Sequence, residues 1–166
     1  AIACGGTGGH LFPGIAVAEE LQKRGHRCLV LISRKEIDAL ASSGYDQLRF
    51  EKLDAIGMPK LLSPKVIPFA VNFWKTLRLC RSMLRDFKVD AVLGMGGFTS
   101  LPPVWAGRRL GALTFVHDSN SIPGKANRVT ARFADCVFLG MEECETFFPN
   151  RRTEITGTPV RSSVLQ

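Results

Sequence analysis

The sequence predicts an α/β domain: an open parallel sheet with helices on both faces. Two observations carry that expectation. Short apolar runs alternate with helical patterns along nearly all of the 166 residues, which is the rhythm of βαβ units with right-handed crossovers. Several of the runs are continuous rather than alternating, as in strands covered on both sides. The length suits one domain with a real core.

Taken in order, strands are expected at Ala1–Cys4, Cys28–Ile32, Gln47–Glu51, Val89–Leu93, Leu113–Val116, Cys136–Leu139 and Glu154–Ile155. Helical patterns lie near Pro13–Arg24, Lys35–Ser42, Pro64–Phe87, Thr99–Leu110, Pro123–Phe133 and Glu142–Phe147. Pro13, Pro68 and Pro123 suit first helical turns, where a missing N–H costs nothing. The segment Asp54–Ser63 reads as the one long irregular loop. The lack of an initiator Met and the early glycine turn predict a slightly shortened N-terminus.

Net charge is +7, and its position matters more than its size. Residues 59–88 hold seven bases, Lys60, Lys65, Lys75, Arg78, Arg81, Arg85 and Lys88, against one acid, Asp86. The rest of the chain is nearly balanced. A protein coating nucleic acid spreads its bases along a face or tail, so no nucleic-acid partner is expected. The five cysteines are scattered, odd in number and without a C-x-x-C pair. That argues against a disulfide framework or zinc knuckle and for a reducing compartment. No apolar run reaches the roughly 18 residues that span a bilayer.

Ligands of open parallel sheets collect at the carboxyl ends of the strands, and three strand ends carry polar chemistry. The first strand runs into Gly5-Gly6-Thr7-Gly8-Gly9-His10. Glycines at this density bring bare N–H groups to a helix N-terminus, where the dipole favours an anion. The pattern is not G-x-G-x-x-G, and the second strand ends at Ser33-Arg34 rather than an acid, which weakens a dinucleotide-binding oxidoreductase reading. At the rim of the turn, the His10 imidazole can accept a proton at neutral pH. His26, in a helix-to-strand turn on the opposite edge, reads as structural.

The fourth strand runs into Gly94-Met95-Gly96-Gly97-Phe98-Thr99-Ser100, with Thr99 and Ser100 able to cap the next helix. Two such turns could hold two anions, or one diphosphate between them. The fifth strand runs into His117-Asp118-Ser119-Asn120-Ser121. Asp118 could orient an imidazole or take a proton, and Asn120 could bridge sugar hydroxyls. Asn127 and Arg128 read as scaffold or surface.

Within the basic segment, Ile67, Val71, Trp74 and Leu77 form one helical stripe, with Lys75, Arg78, Arg81 and Arg85 beside or after it. An apolar stripe with Trp and a basic border suits a helix lying in an anionic membrane interface. Another face, with Phe69, Phe73 and Leu84, could serve the core.

The blocks GGTGGHLFPGIAVAEEL (5–21), VDAVLGMGGFTSLPP (89–103), HDSNSIPGKANR (117–128) and TGTPVR (156–161), in this order and spacing, resemble the MurG family of bacterial glycosyltransferases. That family adds N-acetylglucosamine to the lipid-linked muramoyl-pentapeptide precursor of peptidoglycan. The resemblance implies the N-terminal half of a glycosyltransferase-B architecture: residues 1–166 as a Rossmann-like, acceptor- and membrane-side domain, with the C-terminal donor domain absent.

It also implies roles. His10 would be the base for the acceptor's C4 hydroxyl, with Asp118 as a second catalytic residue. Thr7, Gly8, Gly9, Asn120 and Arg161 would contact the donor, UDP-N-acetylglucosamine. Gly5, Gly6, Gly94, Gly96, Gly97 and Phe98 would cradle the diphosphate of the undecaprenyl-linked acceptor. Transfer would invert the anomeric centre by direct attack, without cofactor or metal, and no Asp-x-Asp motif is present. Ile67, Val71, Trp74, Leu77, Lys75 and Arg78 would meet the cytoplasmic face of the plasma membrane as a peripheral contact. The isolated domain is expected to be inactive. The chain departs from the family in having Asp118 and Ser119 where H-E-Q-N is usual, Phe98 where Tyr is frequent, and Thr158 in the G-N-P-V-R block. A non-catalytic anchoring, diphospholipid-binding half of a split glycosyltransferase is the alternative.

Overall fold

The structure, a computed structural model, describes residues 1–5, 8–33, 45, 47–54 and 66–160. Seven strands among them form one sheet: β1 (Ile2–Ala3), β2 (Leu29–Ser33), β3 (Arg49–Leu53), β4 (Ala91–Gly94), β5 (Leu113–Asp118), β6 (Cys136–Leu139) and β7 (Thr153–Ile155). Their order is β3-β2-β1-β4-β5-β6-β7, and every neighbouring pair is parallel. The order reverses between β1 and β4, so the two glycine-rich turns leave from adjacent strands at the switch point.

Four α-helices are described: α1 (Gly8–Lys23), α2 (Val66–Asp86), α3 (Leu101–Arg109) and α4 (Lys125–Thr130). Alternate strand residues send their side chains to opposite faces. Ile2, Cys4, Val30 and Ile32 pack with Leu11, Ile15 and Ala18 of α1. Ala3, Leu29, Leu31 and Val92 pack with Cys80 and Leu84 of α2 and Val104 and Ala106 of α3. Helices therefore cover both faces, and β2 is buried throughout, which explains its unbroken apolar run.

The elements match their expected places with shifts at the ends. The third strand is displaced two residues along the chain, because Leu53, fully buried, must reach the α2–α3 side of the sheet. β5 runs two residues past Val116, pairing His117 with Phe138 and Asp118 with Leu139. Glu142–Phe147 is a 3-10 rather than an α-helical segment, and the expected helix Pro123–Phe133 keeps α geometry only in α4 before a 3-10 turn at Ala131–Phe133. The helix expected at Lys35–Ser42 lies outside the described residues, as does the loop expected at Asp54–Ser63 apart from Asp54.

All five cysteines are buried thiols. Burial pushes the Cys80 thiol up to about 12 and the Cys144 thiol up to about 11, so neither is a thiolate near neutral pH.

Candidate active site

The crevice at the switch point is built by β1, β4 and the start of α1. The sequence pattern starts the first helix at Pro13, but α1 starts at Gly8. His10 therefore stands in its first turn, and Pro13 lies inside the helix. The first N–H groups of a helix need no partner within it, so a glycine segment can enter helix geometry and still offer them to a ligand.

His10 is half-buried, and its ring rests on the β4 turn. Gly96 has φ +131°, and a Cβ there would stand 2.5 Å from His10 Nε2 and 2.6 Å from Cδ2. Only a bare Cα lets the imidazole sit where it does. Gly97, at φ +72°, backs onto the Gly5 carbonyl, and a Cβ on Gly97 would be 3.2 Å from that oxygen. Met95 N donates to Ala3 O at 2.8 Å, tying the two turns together. Gly5, Gly94, Gly96, Gly97, half-buried Phe98 and His10 are thus brought to one end of two neighbouring strands. Gly6 and Thr7 lie outside the described residues.

Ser100 does not cap α3 as expected; it makes no side-chain cap bond. Fully buried, its Oγ accepts from Gly96 N at 3.2 Å and lies 2.7 Å from Gly96 O and 3.1 Å from Ala3 O. The hydroxyl instead fixes the turn under His10. The sequence offered no signal for this beyond the presence of a serine.

The second corner, at the ends of β5, β6 and β7, is filled by its own hydrogen bonds. Asp118 is 1% exposed. Its Oδ1 accepts from Asn120 N and Nδ2, both at 3.0 Å. Its Oδ2 accepts from Gly124 N at 3.1 Å and Asn127 Nδ2 at 2.8 Å. Two lone pairs on each oxygen are thereby used, and the carboxylate holds the loop 118–127. Asn120, exposed, is aimed by that grip. Asn127 is scaffold, donating also to His117 O at 3.1 Å, while Arg128 lies over the Phe147 ring at 4.7 Å.

His117, which sequence reasoning left without a role, is 2% exposed and reaches Gly157 O at 2.9 Å through Nε2. Burial pulls its pKa below the ordinary value, opposed by the Gly157 carbonyl and the Asp118 charge. Gly140 completes the corner: a Cβ there would stand 2.7 Å from Thr158 Oγ1 and 2.9 Å from Ser119 Cα. A glycine directly after β6 was the one visible signal for this convergence. Arg161, four residues beyond Gly157, lies outside the described residues.

On α2, Ile67, Val71 and Trp74 are exposed at 74%, 49% and 54%, so the stripe faces solvent. Leu77 departs from it, half-buried against the α2–α3 core. Lys75 and Arg78 are exposed. Thr76, Cys80 and Leu84 face the core. Phe69, Phe73, Trp105 and Phe133 form a continuous ring contact. No helix of the described residues is long and apolar enough to cross a membrane.

An open all-parallel sheet with helices on both faces and a histidine seated on a glycine at its switch point defines a Rossmann-like domain. The chain belongs to glycosyltransferase family 28, whose N-terminal domain matches residues 1–139. It is 42% identical over 99% of its length to a protein of Citrifermentans bemidjiense named UDP-N-acetylglucosamine–N-acetylmuramyl-(pentapeptide) pyrophosphoryl-undecaprenol N-acetylglucosamine transferase, of which it covers 46%. A protein of the same name from Geotalea uraniireducens is also 42% identical, with 45% of it covered. Among solved structures, MurG of Acinetobacter baumannii matches with TM-score 0.77 and 26% identity over 97% of this chain and 46% of that one. The fold is that of the N-terminal Rossmann-like half of the glycosyltransferase-B architecture. The chain spans a little under half the length of these relatives.

Proposed function

We propose that this chain is the acceptor- and membrane-side domain of an inverting N-acetylglucosaminyltransferase. It acts with a donor-binding domain to move N-acetylglucosamine from UDP-N-acetylglucosamine to the C4 hydroxyl of undecaprenyl-diphosphate-linked muramoyl-pentapeptide. The observation that carries this reading is the His10 imidazole seated on Gly96 between the two glycine turns.

In this reading, N–H groups of the Gly5–Gly9 and Gly94–Gly97 turns receive the acceptor diphosphate, with Phe98 at the rim. His10 takes the proton of the C4 hydroxyl as that oxygen attacks the anomeric carbon. The bond from that carbon to UDP breaks on the opposite side, inverting the centre without a covalent enzyme intermediate. Thr7, Gly8, Gly9, Asn120 and Arg161 face the donor. Asp118 acts as a positioning residue: with both oxygens accepting hydrogen bonds, it aims Asn120. The exposed Ile67, Val71 and Trp74, with Lys75 and Arg78, rest on the anionic cytoplasmic face of the plasma membrane, where the acceptor is anchored.

The test is turnover of UDP-N-acetylglucosamine and lipid acceptor by this chain joined to a family 28 donor domain. Activity is expected only from the joined protein. Full activity from the 166 residues alone would remove the need for a donor domain. Lipid binding without turnover in the joined protein would favour a non-catalytic anchoring half. Separately, Trp74→Ser with Lys75→Glu should reduce co-sedimentation with anionic liposomes; unchanged binding sinks the membrane contact.

A further inference from the structure

The segment after β7 crosses the end of the sheet. Thr156 N and Gly157 N both donate to Leu139 O of β6, at 2.9 and 3.1 Å, and Gly157 turns the chain at φ +71°. A Cβ on Gly157 would meet nothing within 4 Å, so this glycine serves the turn and not the packing. Beyond it, Pro159 and Val160 share a groove with Val17, Leu21 and Arg24 of α1. Residues 156–160 therefore form a strap that leaves the edge strand and runs across to α1.

His117 stands under the middle of that strap. Val116 packs on the α2–α3 side of the sheet, so the next residue of β5 points to the α1 side. A carbonyl only accepts, so the 2.9 Å contact has Nε2 donating to Gly157 O. In the neutral ring Nδ1 is then an acceptor, and it faces Ser119 Oγ at 3.5 Å, the long limit of a hydrogen bond. One ring thus touches the strap on one edge and the start of the loop 118–127 on the other. Gly140 joins the same two segments. A Cβ there would stand 2.7 Å from Thr158 Oγ1 in the strap and 2.9 Å from Ser119 Cα in the loop. Gly140 N also donates to Asp118 O at 2.7 Å. Four donors on the Asp118 carboxylate make the loop one unit, so whatever holds Ser119 also holds Asn120.

We infer that His117 is a positioning residue that, with Gly140, locks the strap 156–160 to the loop that aims Asn120. In the proposed joined protein the donor domain follows the strap in the chain, and Asn120 faces the donor. The lock sets Asn120 against the donor domain before binding, so less ordering remains to be done when the donor arrives. In this respect it rests on the function proposed above. His117 itself is 2% exposed and acts only through the strap and the loop.

Amide hydrogen exchange on the purified chain tests the lock. His117→Ala should speed exchange at Thr156 and Gly157 and, in step, at Asn120 and Gly124. The expected change is about tenfold, the scale of one lost hydrogen bond, while the amides of β2 keep their rates. His117→Gln, which can still donate to Gly157 O, should restore both sets. Gly140→Ala removes no hydrogen-bonding group, should give the same paired loosening, and decides the matter where His117→Ala does not fold. Faster exchange in the strap alone, or equally in β2, overturns the lock.

The joined protein supplies the second readout. His117→Ala should raise KM for UDP-N-acetylglucosamine about tenfold, with the acceptor KM and kcat at saturation unchanged and His117→Gln restoring the donor KM. An unchanged donor KM, an equal rise in both KM values, or a fall in kcat alone overturns the positioning role. Absence of turnover in the unsubstituted joined protein overturns the proposed transferase instead, and the exchange pattern still decides the lock.

Discussion

The two polar corners at the carboxyl edge of the sheet use their residues in opposite ways. At β1 and β4, side chains are removed: glycine at position 96 gives an imidazole room to lie on the turn. At β5, β6 and β7, side chains are packed in and mostly pair with one another, though buried Asn127 Oδ1 finds no partner among the described residues. Asp118 takes four donors, and His117 ties β5 to the segment after β7. In the proposed function the first corner receives the ligand; the second is a hydrogen-bonded post beside it. Polar density at a strand end here holds a loop, because burying a polar group is costly unless it is paired, and all four donors to Asp118 are intramolecular.

If the comparison is right, substitutions should divide into those that cost rate and those that cost stability. The largest effect belongs to the open corner. In the protein joined to a donor domain, His10→Ala should lower kcat by about 10²–10⁴-fold, as loss of a general base does, with little change in the melting temperature; an unchanged rate removes His10 from the chemistry. Gly96→Ala follows, since the added methyl must displace the imidazole and the backbone is at a φ that favours glycine. A displacement of about 1 Å costs on the order of 10²-fold in rate, measurable as kcat at saturating substrate.

The filled corner should answer in stability. Asp118→Asn puts an amide NH2 against donors, and about 2–3 kcal/mol of unfolding free energy should be lost, read from urea denaturation. A fall in kcat without a fall in stability would return Asp118 to the chemistry. The smallest effect concerns pH. Burial lowers the His117 pKa below 6.5, so the unfolded chain binds that proton more tightly than the folded one. Its contribution is complete above about 6.5 and is lost as pH falls through the lowered folded value. His117→Gln, which can still donate to Gly157 O, should flatten the decline in urea midpoint between about pH 7.5 and 5.5; an equal decline would assign it to other groups.

The open corner was legible because its signal is local. Gly5–Gly9 and Gly94–Gly97 are glycine clusters directly after apolar runs, and a backbone turn of that kind depends on few other residues. The basic helix was legible for the same reason: a stripe of Ile67, Val71 and Trp74 repeats at helical spacing. Its limit was Leu77, which the spacing places with them but the α2–α3 contact draws inward. The start of α1 was misplaced because proline suggests a first turn more strongly than glycine does, yet the unpaired N–H groups of a helix start make glycine acceptable there. Ser100 was read as a cap, since its second backbone partner, Ala3 O, lies 97 residues away, whereas the partners of Asp118 at Asn120, Gly124 and Asn127 are near in sequence but are brought onto its carboxylate only by the fold of the loop.

The sequence by itself determined the order of strands and helices, the glycine clusters at two strand ends and the concentration of bases in residues 59–88. Periodicity and local composition carry these, and the resemblance of four motif blocks carries the family. Only the tertiary structure decided which polar groups meet. That β1 lies beside β4 puts His10 on Gly96, and that β6 lies between β5 and β7 lets His117 meet a carbonyl 40 residues away. Strand order sets these meetings, and a side chain whose partner comes from a distant strand finds it only once the sheet has closed around it.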